Sequence, residues 1–381
     1  MTDVLLTANA HGDRWPASAA AGFLYLRFAG LSRARRVSLL PLFLSMCLAP
    51  NLAGQALPVD DVKPVPLLTG SAGFIATFDG GEPHLGPIVT PVVLVPLGQR
   101  WLFETRLDFE SDLEQMPGQN SFHGQLQKNV DYAQLDFIAN PYVTFTVGRF
   151  LTPFNIYNER LYPVWIRNLQ TDPLILPIGI GPSNASNGAM IRGGFQAHPA
   201  LDVNYALYFS TLTTTNYIDS ARFVGGRAGI FIRKTRVEFG GSFQHSLQDE
   251  RSNSFGFHAI WEPFALPLEL RAEYARSFDG SGYWAEAAYR LGQIPYLQKQ
   301  FRRTQLVTRI QQGFEGTSPD TSLFPANLKM LEFGLNYYFM DGLKGTSSYG
   351  RQFSAGDNKN VWTLGLTYRF VIPLGNAWRD K

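Results

Sequence analysis

The sequence predicts an all-β fold: a transmembrane antiparallel β-barrel of sixteen strands, with a long third loop folded into the lumen. Three observations predict it. Segments of about ten residues alternate apolar and polar side chains from about residue 67 to residue 370. The connections between them alternate between short and long. After residue 56, no run reaches the roughly eighteen apolar residues of a membrane-spanning helix.

Composition agrees with many strands and turns. The 381 residues include 36 Gly and 24 Pro, and 14% are aromatic. Ahead of the first segment lies a targeting pattern. "SRARR" (32–36) is basic, "VSLLPLFLSMCLAP" (37–50) is apolar, and "AGQA" (53–56) puts small residues at Gly54 and Ala56. This predicts a leader over 1–56, cleaved after Ala56, and a barrel over 57–381. Residues 1–31 make the leader long, which an upstream mis-chosen start codon would explain. Met46 stands where a lipoprotein signal wants a small residue. The single cysteine, Cys47, falls inside the leader, so the mature chain is expected to have no thiol chemistry and no disulfide. Cleavage takes five of the 33 Lys and Arg and two of the 31 Asp and Glu, leaving 28 against 29. No basic field remains to bind nucleic acid.

The sixteen segments run, in order, near 67–78, 88–96, 101–113, 130–139, 142–150, 187–197, 202–212, 225–233, 236–246, 254–262, 268–277, 282–292, 304–314, 328–339, 345–354 and 361–370. The third sets Trp101, Phe103, Leu107 and Phe109 against Glu104, Arg106, Asp108 and Glu110. In the ninth, Val237, Phe239 and Phe243 oppose Arg236, Glu238, Ser242 and Gln244. The eleventh sets Leu268, Leu270 and Tyr274 against Glu269, Arg271 and Glu273. The fourteenth sets Leu331, Phe333, Leu335 and Tyr337 against Glu332 and Asn336. The last, "VWTLGLTYRF", sets Trp362, Leu364, Leu366, Tyr368 and Phe370 against Thr363, Thr367 and Arg369. Each pattern is a strand with one greasy face and one polar face.

Every second connection is short: 97–100, 140–141, 198–201, 234–235, 264–268 and 340–344. The others, such as 114–129, 213–224, 315–327 and 355–360, are longer and polar. Two depart from this, a long "short" turn at 293–303 and a short "long" loop at 278–281. Short turns at one rim and long loops at the other suit an outer-membrane barrel. The longest connection, 151–186, is apolar and Pro-rich. A loop of that length is usually functional, and folding it into the barrel would cover its Ile, Leu and Trp side chains.

Four blocks, "YVTFTVGRFLTPFNIYNERL" (142–161), "NGAMIRGG" (187–194), "LNYYFMDGLKGTSSYGR" (335–351) and "VWTLGLTYRF" (361–370), resemble the phosphate-selective porin O and P family. The resemblance implies a bacterial outer-membrane porin, usually a homotrimer, whose third loop narrows the pore. Its implied partners are outer-membrane lipid and small hydrophilic solutes or ions, without a cofactor. Two features depart from the family. Phe370 is followed by a tail, 371–381, and the loop 151–186 has no lysine where the family's phosphate selectivity is associated with a lysine cluster. The alternative within this architecture is a substrate-specific channel for an oxyanion such as phosphate or a small carboxylate; outside it, the alternatives are an outer-membrane enzyme and a soluble or lipid-anchored β-sandwich binding protein.

A narrowed pore selects by radius and by lining charge. The basic candidates are Arg106, Arg149, Arg160, Arg167, Arg192, Arg271 and Arg309. The acidic ones are Asp108, Asp136, Glu159, Asp172, Glu273 and Glu332. Any one of them can instead sit in a neutralising cross-strand pair. Trp101, Trp261, Tyr337, Phe339, Trp362, Tyr368 and Phe370 are placed to meet the membrane–water interfaces. Catalysis is not expected. "SNG" (186–188) is similar to an outer-membrane phospholipase motif, but Asn184 stands where the general base is needed. The histidines after residue 56 show no metal-ligand spacing, and no metal is expected.

Overall fold

The computed structural model describes residues 65–375, apart from 80–81, 116–120, 177–183, 216–217, 249–250, 279, 295, 316–326 and 355–357. The expected leader 1–56, with its cleavage point and Cys47, and residues 376–381 of the expected tail lie outside the described residues. Sixteen strands follow in order: β1 (Leu67–Asp79), β2 (Glu82–Leu97), β3 (Trp101–Gln115), β4 (Phe122–Asn140), β5 (Val143–Leu151), β6 (Ala185–His198), β7 (Leu201–Ser210), β8 (Phe223–Ile232), β9 (Val237–Ser246), β10 (Asn253–Trp261), β11 (Leu268–Arg276), β12 (Gly280–Arg290), β13 (Thr304–Glu315), β14 (Leu328–Met340), β15 (Leu343–Phe353) and β16 (Lys359–Pro373). Each pairs antiparallel with the next, and β16 pairs with β1 to close the barrel.

The polarity of the faces is inverted relative to a soluble sandwich. On β16, Trp362, Leu364, Leu366 and Tyr368 are exposed while Thr363 and Thr367 are buried. On β14, Leu331, Phe333, Leu335, Tyr337 and Phe339 are exposed while Glu332 and Asn336 are buried. Greasy outside and polar inside is the arrangement of a barrel solvated by lipid. The buried apolar side chains do not form a sheet-on-sheet core. One cluster joins Phe154, Ile156, Tyr157, Leu161 and Ile175, from the connection between β5 and β6, to Ala275 of β11 and Trp284 of β12.

Short turns gather at one rim. Asn140 Oδ1 accepts the Tyr142 amide at 2.9 Å across Pro141, a side-chain turn that suits the Asn-Pro pair. Gly342 has φ +97 in the turn between β14 and β15, a conformation that glycine adopts without steric cost.

Several boundaries differ from the alternation pattern. β2 begins at Glu82, not near 88, because its first residues pair with β1 up to Asp79. β4 begins at Phe122, not near 130, because its first residues pair with Ser111–Gln115 of β3. Residues 122–129 are exposed on both faces, so no greasy parity marks them. β16 continues to Pro373: Val371, Ile372 and Pro373 pair with Thr69, Leu68 and Leu67. The start of the expected tail is therefore part of the closing strand. β12 ends at Arg290, where Leu291–Gln293 form a 3-10 turn.

Candidate functional site

The connection after β5 is held at its base and along its length. Thr152 N donates to Asn184 O at 3.0 Å, and Asn158 Nδ2 donates to the carbonyls of Thr152 and Asn184. Asn155 adopts the left-handed region, φ 55, which Asn tolerates better than most residues. Its amide donates to Ser242 Oγ of β9 at 2.9 Å. Gly256 of β10 makes room for this bend: a Cβ there would lie 2.2 Å from Asn155 Oδ1. A π-helical turn, Tyr157–Leu161, follows. Glu273 of β11 anchors its start. One carboxylate oxygen accepts the amides of Ile156 and Tyr157 at 2.5 and 2.6 Å, and the other accepts Trp284 Nε1 at 2.8 Å. A carboxylate at exposed helical N–H groups is favourable on both hydrogen-bonding and dipole grounds.

Further contacts run from β8 to β15. Arg160 pairs with Glu238 of β9 at 2.8 Å, and Arg227 of β8 pairs with Glu159. Asn168 donates to Glu286 of β12 at 2.8 Å, and Thr171 donates to Glu332 of β14 at 2.6 Å. Arg309 of β13 joins these, binding Glu286 through two nitrogens at 2.7 and 3.0 Å and the Thr171 carbonyl at 2.8 Å. Lys344 of β15 donates to the carbonyls of Trp165 and Arg167 at 2.7 and 2.6 Å. Within the connection, Arg167 pairs with Asp172 at 2.9 Å, and Tyr157 donates to the same carboxylate. Burial pushes the Tyr157 phenol well above its ordinary range, against the pull of Arg167, so it stays a hydrogen-bond donor.

A chain of cations and rings links the connection to both sides of the wall. Arg106 of β3 lies over Tyr162 at 5.3 Å, and Arg167 lies over Tyr162 at 4.8 Å and over Tyr157 at 5.9 Å. Tyr157 meets Trp284 edge-on at 6.0 Å, and Arg309 lies over Trp284 at 5.7 Å. Each such contact contributes about 0.5–2 kcal/mol, more where water is excluded.

The structure brings most of the predicted residues together. Glu159 and Arg160 meet the wall at Arg227 and Glu238, Arg167 and Asp172 pair with each other, and the wall residues Glu273, Arg309 and Glu332 meet the connection at Ile156, Tyr157 and Thr171. Arg271 of β11 bonds Glu269 at 2.6 Å and lies 3.9 Å from Glu286. On the other side, Arg106 pairs with Asp131 at 2.9 Å and Arg192 of β6 pairs with Asp136 of β4 at 3.0 Å. Asp108 is buried on β3. Arg149 stands apart. It is opposite Ala133, next to the exposed Val147, while Gly148 takes the inward register opposite the buried Gln134. Its guanidinium binds the carbonyls of Val130 and Asp219 and the Asn187 side chain. Arg149 is thus on the outer parity, not with the interior charges.

Several residues escaped the sequence reading. Arg227 was hidden in the glycine-rich "GGRAG". Lys344 looked like part of a turn, although it is the second residue of β15. Asp131 is the extra residue of an irregularity that pairs Arg106 with Tyr132 and Leu107 with Val130, so simple parity misplaces it. His84 lies opposite Glu114 across the β2–β3 pair, and His84, Asp112 and Glu114 have ligand atoms within 4.8 Å of one another. The Ser186 hydroxyl is buried against Thr152 Oγ1 at 2.6 Å.

The aromatic candidates divide between the rims. Trp101 opens β3 and stacks at 4.6 Å on Phe137, and Trp261 closes β10 with its Nε1 on the Thr235 carbonyl. Tyr337 and Phe339 lie near the end of β14. Tyr368 is opposite Leu343, and Phe370 is opposite Gly70. Trp362 is near the opposite rim, 4.6 Å from Tyr349.

A closed barrel of sixteen antiparallel strands with a greasy exterior and a charged interior is the architecture of a bacterial outer-membrane barrel. No family description and no curated protein matches the sequence. Among solved structures the fold is similar to Salmonella typhi OmpF in complex with daunomycin, at 12% identity over 80% of this chain and 97% of that one, TM-score 0.57. It is also similar to Pseudomonas putida OprB (10% identity, 80% and 92% covered, TM-score 0.54). A third is an anion-selective porin from Comamonas acidovorans (11% identity, 81% and 100% covered, TM-score 0.51).

Proposed function

We propose that this chain is an outer-membrane porin. Small hydrophilic solutes or ions diffuse passively through its water-filled barrel, and segment 151–186 lies across the interior and narrows it. The observation that carries this reading is the reach of one connection. Residues 155–171 bond to wall side chains on β8, β9, β11, β12, β13, β14 and β15 and stack on Arg106 of β3. Such reach favours a path through the barrel over one above it. The four sequence blocks support kinship with the O and P porins. Both loop arginines are matched by carboxylates, so nothing there favours a dedicated oxyanion site. The Thr152 contact of Ser186 supports a structural role for "SNG". Export by a leader cleaved after Ala56, a homotrimer, and aromatic girdles at the interfaces belong to the same reading.

The test is conductance of the purified protein in a planar bilayer. Discrete current steps are expected. A folded, heat-modifiable preparation that gives no steps would overturn the reading.

A further inference from the structure

We propose that the passage prefers cations to anions, and that a row of carboxylates along β3 sets this preference. The inference rests on the channel reading above. On β3, Glu104, Asp108, Glu110, Asp112 and Glu114 share one face, interrupted only by Arg106. At about 3.3 Å of rise per residue the row runs about 33 Å, from the long-loop rim deep into the wall.

Pairing off the nearby ions leaves an excess of one sign. Arg106 is matched by Asp131, Arg167 by Asp172 and Arg192 by Asp136. Among the described residues, Glu104, Asp108 and Glu110 take part in no ion pair, and Asp112 is matched only by His84. Asp108 is the sharpest case. It is 5% exposed, and its Oδ1 is buried without a hydrogen-bond partner. A buried carboxylate oxygen is costly unless something compensates it; shielded from water, Asp108 acts on passing cations only through its field, and Glu110 and Asp112, which line the open side, are the groups they meet.

Space exists on this side. A cavity of about 390 Å³ at the mouth is lined by Asp79, His84, Glu110, Asp112, Thr77 and Gln127. The hydrogen bonds of the connection go to the far wall, where Glu238, Glu273, Glu286 and Glu332 are all engaged, while towards β3 it turns Tyr162, under Arg106, and the Asp172-paired Arg167. The fixed charge facing the open side is therefore negative. Fixed charge beside a narrow, low-dielectric passage raises the local concentration of the opposite ion.

The experiment is the reversal potential of the purified protein in a neutral-lipid bilayer across a potassium chloride gradient. Potassium is expected to permeate about threefold better than chloride, the effect of one charge about 12 Å from the ion path in water, attracting one ion and repelling the other. The double variant Asp108→Asn/Glu110→Gln is expected to bring the ratio near one while current steps persist. Absence of steps from folded protein would overturn the channel reading itself. Steps with equal or chloride-favouring permeability in the natural chain would overturn the cation preference alone. A preference that survives the double variant would overturn its assignment to β3. Should the double variant not fold, Glu110→Gln alone, on a half-buried side chain, gives the same readout.

Discussion

The two halves of the inner wall carry the same kind of side chain and use it differently. Along β9 to β14, Glu238, Glu273, Glu286 and Glu332 each accept hydrogen bonds from the β5–β6 connection. Along β3, Glu104, Asp108 and Glu110 accept none from its described residues, which reach this strand through the stacking of Tyr162 on Arg106. Residue type does not distinguish these carboxylates, since all lie on inward parity of amphipathic strands. What differs is whether the connection lies against them. A carboxylate with fixed donors holds structure, and an accessible one without them, such as Glu110, is left to mobile ions.

The comparison breaks most severely at Glu273. Glu273→Leu strands the amides of Ile156 and Tyr157 and the Trp284 indole N–H. A loss of about 3–5 kcal/mol is expected, visible as a lower heat-modification temperature and noisier single-channel current. Arg309→Met comes next, at about 3 kcal/mol, because Glu286 keeps Asn168 and has Arg271 at 3.9 Å. Gly256→Val tests packing without touching charge. Its Cβ would crowd Asn155, at an expected 1–3 kcal/mol. Current fluctuations should rise while the reversal potential stays fixed. The smallest stability effect is expected on the other half. Glu110→Gln should leave the heat-modification temperature unchanged within about 0.5 kcal/mol and move only the reversal potential. A large destabilisation there would erase the distinction between the two halves.

Strand number and facing were legible because lipid on one side and polar contacts on the other impose strict alternation, as in Leu331–Phe339. Where both faces meet water, at residues 122–129, the alternation vanished and so did the strand. The interior charges were legible as a set, but their pairing was not. Glu273 meets Ile156 from 117 positions away, and such a partnership follows from barrel closure rather than from local pattern. Asp131 shows the limit of counting by twos: a single irregular residue in β4 is enough to mislead it. Arg149 was drawn in by its place beside the long connection, although its parity with Phe145 and Val147 already puts it on the outer face.

The barrel closes where β1 meets β16, with Leu67 opposite Pro373 and Thr69 Oγ1 on the carbonyl of Phe370, 301 positions along the chain. Every other strand pair joins neighbours in sequence and can zip as it is made. This seam must wait for both ends of the barrel. Until it forms, β1 and β16 present rows of unpaired backbone groups that a hydrocarbon interior does not tolerate. Insertion into the bilayer is therefore coupled to the completeness of the polypeptide: an intermediate lacking either terminal strand has two raw edges and no native way to hide them.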